Sequence, residues 1–135
     1  MVNQAIYERL KQAARERAFV YYDEIAALAG LDITCGVDRP KLGGLLMDIS
    51  RYTHQMGRPL LSVLVVNRDS KLPNKGFFYA ARELGRYDGH SASETLFFFA
   101  NELKAVYAHW AGQEAARRPT AQFAPETFSS VEIVS

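Results

Sequence analysis

Apolar residues recur along much of this chain at helical spacing, broken by short unalternating apolar or aromatic runs. Ile6, Leu10, Ala13 and Ala14 keep helical spacing while Glu8, Lys11, Arg15 and Glu16 fall elsewhere, which predicts a first helix from a cap at Asn3 to about Arg17. Ala18 to Tyr22 is short and β-branched or aromatic, the composition of a strand. Asp23 then stands where it can cap a second short helix through Ile25, Ala26, Leu28 and Ala29, closed by Gly30. After a loop over Leu31 to Val37, Asp38 precedes Arg39 and Pro40 in the order of an N-cap and a first-turn proline. The third helix that follows sets Leu42, Leu45, Leu46, Ile49, Tyr52 or Thr53, and Met56 on one stripe, with Lys41, Gly44, Asp48, Arg51 and Gln55 opposite and Gly57 as the stop.

Leu60 to Val66 (LLSVLVV) lacks alternation and reads as a central strand buried on both faces. Asn67 to Gly76 (NRDSKLPNKG) has turn-forming residues throughout and carries Arg68, Lys71 and Lys75, the pattern of an exposed basic loop. Phe77 to Leu84 reads as a short extended entry followed by a helical turn that ends at Gly85. Ser91 to Glu94 (SASE) matches a capping box and opens a long helix to about Arg117, with Leu96, Phe99, Leu103, Val106, Tyr107 and Trp110 as its buried stripe. The expected organisation is one α+β domain over 1–117, including the C-terminal helix at about 93–117. A mobile or docking tail follows over 118–135, in which Val131 to Val134 could add a strand.

Composition narrows this picture. With 135 residues, 48% of them hydrophobic, the chain can build one core without metal or disulfide support. The lone Cys35 excludes an internal disulfide, and His54, His90 and His109 lie too far apart for zinc-ligand spacing, so neither metal nor cofactor is expected. The longest apolar run is too short to cross a bilayer and the N-terminus lacks the apolar centre of a signal peptide, which points to a cytoplasmic protein without membrane contact. Net charge is +1, but Met1 to Gly85 holds 12 Lys and Arg against 9 Asp and Glu, whereas Arg86 to Ser135 holds 4 against 6. This mild basic excess in the first part suits a phosphate-binding face or an ordinary solvated surface of mixed charges.

The order helix, strand, helix, helix, strand, basic loop and return segment resembles a winged helix. More narrowly, Phe19 to Gly30 (FVYYDEIAALAG), the glycine-bearing helix around Lys41 to Leu46, and Leu61 to Gly76 resemble the DNA-binding domain of alkylguanine alkyltransferases and alkyltransferase-like proteins, over roughly residues 19–78. The resemblance implies a three-helix winged-helix core with a small antiparallel sheet, and a third helix that enters the major groove of duplex DNA. Ser62 stands where that family has its reactive cysteine, with Val63 and Leu64 in place of the following His-Arg pair, so alkyl transfer is not expected here.

These observations predict a non-catalytic nucleic-acid-binding module in a regulatory or accessory role. Lys41, Arg51, Gln55 and Arg58 would face the duplex, Gly44 beside Gly43 would allow close approach, and Arg68, Lys71, Asn74 and Lys75 would meet phosphates. Asp48 opposes this reading, and a solvated helix face with a turn-rich loop accounts for the same residues. The glycine pair costs on the order of 1–2 kcal/mol in a helix, which tight packing against the second helix or a ligand would explain. A second reading is a protein-interaction module or accessory subunit. In it Phe97, Phe98, Tyr107 and Trp110 form a homodimer or partner surface, since three successive phenylalanines cannot all face inward; otherwise these aromatics complete the core. A third, a small enzyme, would need Ser62, His90, Tyr87 or His54 brought together, and no local motif around them announces it.

Overall fold

The computed structural model describes residues 2–117, with side chains to 111; the expected tail over 118–135 lies outside the described residues. Helix α1 (Gln4–Arg15) begins where predicted, the Asn3 side chain accepting the Ile6 N–H at 3.0 Å. Strand β1 is reduced to Val20–Tyr21 and runs directly into α2 (Tyr22–Leu28). Asp23 does not cap this helix. Glu24, one residue on, accepts the Tyr21 N–H at 3.0 Å, and Asp23 is engaged by a distant arginine instead.

Helix α3 (Asp38–Gln55) starts on the residue expected to cap it. The Asp38 carboxylate instead accepts the Asp32 N–H at 3.0 Å and so closes the preceding loop. Beyond α3 the chain passes Gly57, whose φ of +71° suits glycine, and enters the run Leu60 to Val66.

That run is not a single strand. Leu61–Leu64 forms a 3₁₀ turn and only Val65–Val66 is extended, as β2. The sheet is parallel, with Val20 opposite Val65 and Tyr21 opposite Val66, which corrects the expectation of an antiparallel sheet. The reason is connectivity: α2 and α3 lie between the strands and return the chain in its original direction, as a crossover does and a hairpin does not. The reading of the run as buried holds, for all residues from Leu60 to Val66 are at most 3% exposed. Fully buried, the segment closes a turn within itself, the Val63 N–H donating to the Leu60 carbonyl at 3.0 Å, where neighbouring strands are lacking to pair it.

Helix α4 (Lys75–Glu83) also departs from the prediction, since it is helical from Lys75 with no extended entry. Phe77, Ala80 and Ala81, at i, i+3 and i+4, form its buried face. Helix α5 (Ala92–Arg117) begins after Ser91, whose hydroxyl accepts the Glu94 N–H at 3.2 Å while the Glu94 carboxylate accepts the His90 N–H at 2.8 Å. The result is a mainly helical α+β arrangement in which α1, α3 and α5 all pack on the 3₁₀ turn. Ile6, Leu10, Ile25, Ile49 and Trp110 close its core. Among the described residues no helix is long and apolar enough to cross a membrane.

Candidate functional site

The side of the 3₁₀ turn that faces α3 and α4 is open. Between the two helices lies a cavity of about 560 Å³, within the roughly 300–1,000 Å³ common for small-molecule sites. Leu42, Leu46 and Met47 of α3 and Phe77 and Ala80 of α4 form apolar walls, Arg39 and Tyr79 stand at the edges, and Asn67 and Asn74 come from the loop between β2 and α4.

At the floor Ser50 of α3 meets Ser62 of the 3₁₀ turn, oxygen to oxygen at 2.5 Å, both residues at most 3% exposed. Two hydroxyls carry two protons, and this bond uses one; among the described residues no acceptor receives the other. Both hydroxyls line the cavity, so the second proton can be donated to an acceptor that enters it. Thr53 is buried one turn further along α3 and donates its own hydroxyl to the Ile49 carbonyl at 3.1 Å.

The glycines of this region are not there for packing. A Cβ built at Gly43, Gly44 or Gly76 would meet nothing within 4 Å, which overturns close contact with the second helix as their reason. Gly43 of α3 and Gly76 of α4 both line the cavity, so the missing side chains leave backbone and space accessible.

The loop over 67–74 is held from below by the residues around β1. Arg68 forms a bidentate pair with Asp23, at 3.1 and 2.9 Å, and lies 4.3 Å over the Tyr21 ring. The guanidinium hydrogen bonds keep the Asp23 carboxyl below the usual carboxylate range. Lys71, at φ +59°, donates to the Tyr21 hydroxyl at 2.9 Å. The Asn67 side chain donates to the Asn74 side chain at 2.7 Å, and the Asn74 N–H donates to the Tyr22 hydroxyl at 2.8 Å, a phenol whose pKa burial pushes up. These bonds tie the loop to the residues around β1, and Arg68, still exposed, has Asp23 as its ion-pair partner.

The nine residues predicted to meet nucleic acid lie on α3, just past its end, in the loop over 67–74 and at the start of α4. Lys41, Gly44, Arg51 and Gln55 share the outer stripe of α3 and are exposed, with half-buried Asp48 among them, 4.0 Å from Arg51. Lys41 and Gln55 are separated by about 21 Å along the helix at ~1.5 Å per residue. Arg51 and Gln55 border a second, shallower groove beside Tyr7 and Tyr52, whose rings meet edge to face at 5.6 Å. Arg58 is half-buried past the end of α3, near enough to His109 to add to the burial that lowers the imidazole pKa. Lys75 is exposed at the first residue of α4, beside the cavity.

The aromatics of α5 divide. Trp110 is fully buried, and Phe98 packs on Tyr87 and Phe77 with centroids 4.8 and 6.1 Å apart. Phe99 stacks on Phe19 at 6.4 Å, and Tyr107 is partly buried, which raises its phenol pKa. Trp110 and Phe98 therefore complete the monomer's core, whereas Phe97, 70% exposed beside Leu96 at 50%, stays outside. The three phenylalanines thus point in three directions.

Of the residues considered for an enzyme, His54 is on α3 four residues beyond Ser50, with a buried Nδ1 that has no hydrogen-bond partner among the described residues. Ser62 is under the cavity, His90 is exposed 3.6 Å from Asp88, and Tyr87 bonds Thr95 through its hydroxyl at 2.5 Å. Among the described residues no group of three or more His, Cys, Asp and Glu side chains is gathered as a metal site. Sequence reasoning missed the Ser50–Ser62 pair, although Ser62 as the one polar residue in LLSVLVV was a usable signal. Searches with the whole chain found no matching family model, curated protein or solved structure.

Proposed function

We propose that this chain is a non-catalytic nucleic-acid-binding module that lays duplex DNA along the exposed stripe of α3 and takes one unstacked base into the α3–α4 cavity. The observation that carries the reading is the cavity itself, with apolar walls for a ring and an unspent hydroxyl proton on its floor for a ring carbonyl. Arg39, Lys41 and Lys75 are exposed around this region and have no ion-pair partner among the described residues, so they are available to phosphates. The sequence resemblance of residues 19–78 to alkyltransferase DNA-binding domains favours nucleic acid as the ligand. Ser62 bonds another serine rather than a general base, which suits holding a base and not attacking it.

The test is fluorescence anisotropy with two duplexes, one fully paired and one carrying a base opposite an abasic site, at two salt concentrations. The duplex with the unpaired base binds about tenfold more tightly, because its extrusion breaks no base pair and so saves part of the flipping cost, about 1.4 kcal/mol. Both affinities fall as salt rises, and Gly43→Phe, which fills the cavity, removes the preference while sparing the salt-dependent part. Absence of binding to either duplex at low salt overturns the reading. The second reading, a protein-interaction module, draws on Leu96 and Phe97, large apolar side chains exposed next to each other on α5.

A further inference from the structure

Glu102 lies on α5, outside the cavity lining, yet it is 6% exposed and its carboxylate is engaged by two separate parts of the chain. One oxygen, Oε2, accepts the Leu60 N–H at 2.7 Å and the Arg86 guanidinium at 2.9 Å. Leu60 is the residue from which the 3₁₀ turn starts, and its carbonyl accepts the first bond of that turn, two residues before the floor hydroxyl of Ser62. Arg86 follows the end of α4, where its own N–H donates to the Ala81 carbonyl at 2.9 Å. A single oxygen therefore ties the beginning of the cavity floor to the end of the cavity wall.

Stability alone is a poor reason for this arrangement. Taking a carboxylate out of water is costly, and apolar packing of similar volume often stabilises a fold as well or better. What a carboxylate adds is direction: both donors must point at one atom, which sets the floor and α4 relative to each other. We infer that Glu102 is a positioning residue for the cavity, holding Ser62 in register with Ser50 and α4 at its distance from α3. The use of the cavity for a base rests on the reading above; the positioning role does not.

A thiol reporter tests this without any ligand. Ser62→Cys places a reactive group at the floor, and native Cys35, half-buried in the loop before α3, serves as an internal control in the same molecule. Iodoacetamide labelling of both positions is followed by peptide mass spectrometry in three backgrounds: Glu102 intact, Glu102→Gln, which keeps an acceptor, and Glu102→Met, which keeps only the length. Labelling at the floor rises about tenfold or more in Glu102→Met, which loses both hydrogen bonds to the carboxylate, and Glu102→Gln restores most of the protection. Cys35 labelling stays within about twofold throughout, as expected for a site that shares no partner with Glu102.

If Glu102→Met does not fold, Arg86→Gln, at a side chain 28% exposed, retains the Leu60 bond and raises floor labelling about threefold by freeing the α4 end alone. Unchanged floor labelling in Glu102→Met, or in Arg86→Gln where that variant stands in, overturns the inference. A parallel rise at Cys35 overturns it too, because general loosening would move both thiols. With Ser62 restored, Glu102→Met also loses the preference for an unpaired base and keeps its affinity for the fully paired duplex. A wild-type protein without that preference sinks the base reading and leaves the labelling result to decide the positioning role.

Discussion

The two sides of the 3₁₀ turn are built from one apolar run and have opposite fates. Toward α1 and α5 it packs on elements that carry Ile6, Leu10, Val106 and Trp110, all fully buried. Toward α3 and α4 it presents Ser62, meets Ser50 on α3, and leaves a cavity whose rim carries Gly43 and Gly76 where larger residues would fill it. The contrast shows that hydrophobic content does not decide whether an interface seals. Side-chain volume at a few facing positions does, because interiors tolerate few unfilled spaces unless something else occupies them.

The closed side should carry most of the stability. Trp110→Ala lowers the free energy of unfolding by about 3–5 kcal/mol in urea denaturation, the usual cost of emptying a buried aromatic site. A loss under about 1 kcal/mol, the size of an exposed substitution, would show that the two sides are not energetically distinct. The open side should behave in the reverse sense. Gly43→Ala raises stability by about 0.5–1 kcal/mol in thermal melts, since the added methyl meets no neighbour and the unfolded chain loses freedom. Destabilisation by this change would mean that the cavity wall is packed after all.

The smallest effect concerns the loop tied to β1. Its Asp23 carboxyl has a pKa below the ordinary value because Arg68 donates to it, so the folded state binds its proton less readily than the unfolded chain. The contribution is present above the usual carboxylate pKa of about 4 and is lost as pH falls through the lowered native value. Carbon-detected NMR titration of Asp23 reads this directly: Arg68→Gln moves its midpoint up toward the unperturbed value. High salt shrinks the difference, as it does for exposed pairs.

Helices were legible where a cap and a period agreed. Asn3 with Ile6 and Leu10 placed α1, and Ser91 with Glu94 placed the start of α5, because both signals act within one turn of chain. The run Leu60 to Val66 was legible as buried but not as a turn, since an unbroken apolar sequence has no period to separate strand from helix. At Phe77 the entry was misjudged for a related reason: the residues after Pro73 and Asn74 suit a strand or a helix, and packing of Phe77, Ala80 and Ala81 on the core selects the helix. The candidate site divides likewise. Lys41, Arg51 and Lys75 were identifiable as surface cations, whereas the pairing of Arg68 with Asp23, 45 residues earlier, left no local trace.

By itself the amino-acid order determined what depends on neighbours within a turn or two: the caps, the helix periods, the buried character of LLSVLVV and the basic cast of the loop after it. The tertiary structure alone decided the parallel strand pair, the serine pair on the cavity floor and the Glu102 tie between Leu60 and Arg86. Each of these joins residues well separated along the chain. Such partners are chosen by how whole elements pack, through shape and hydrogen bonding between distant groups, and no short stretch of sequence contains both halves of that choice.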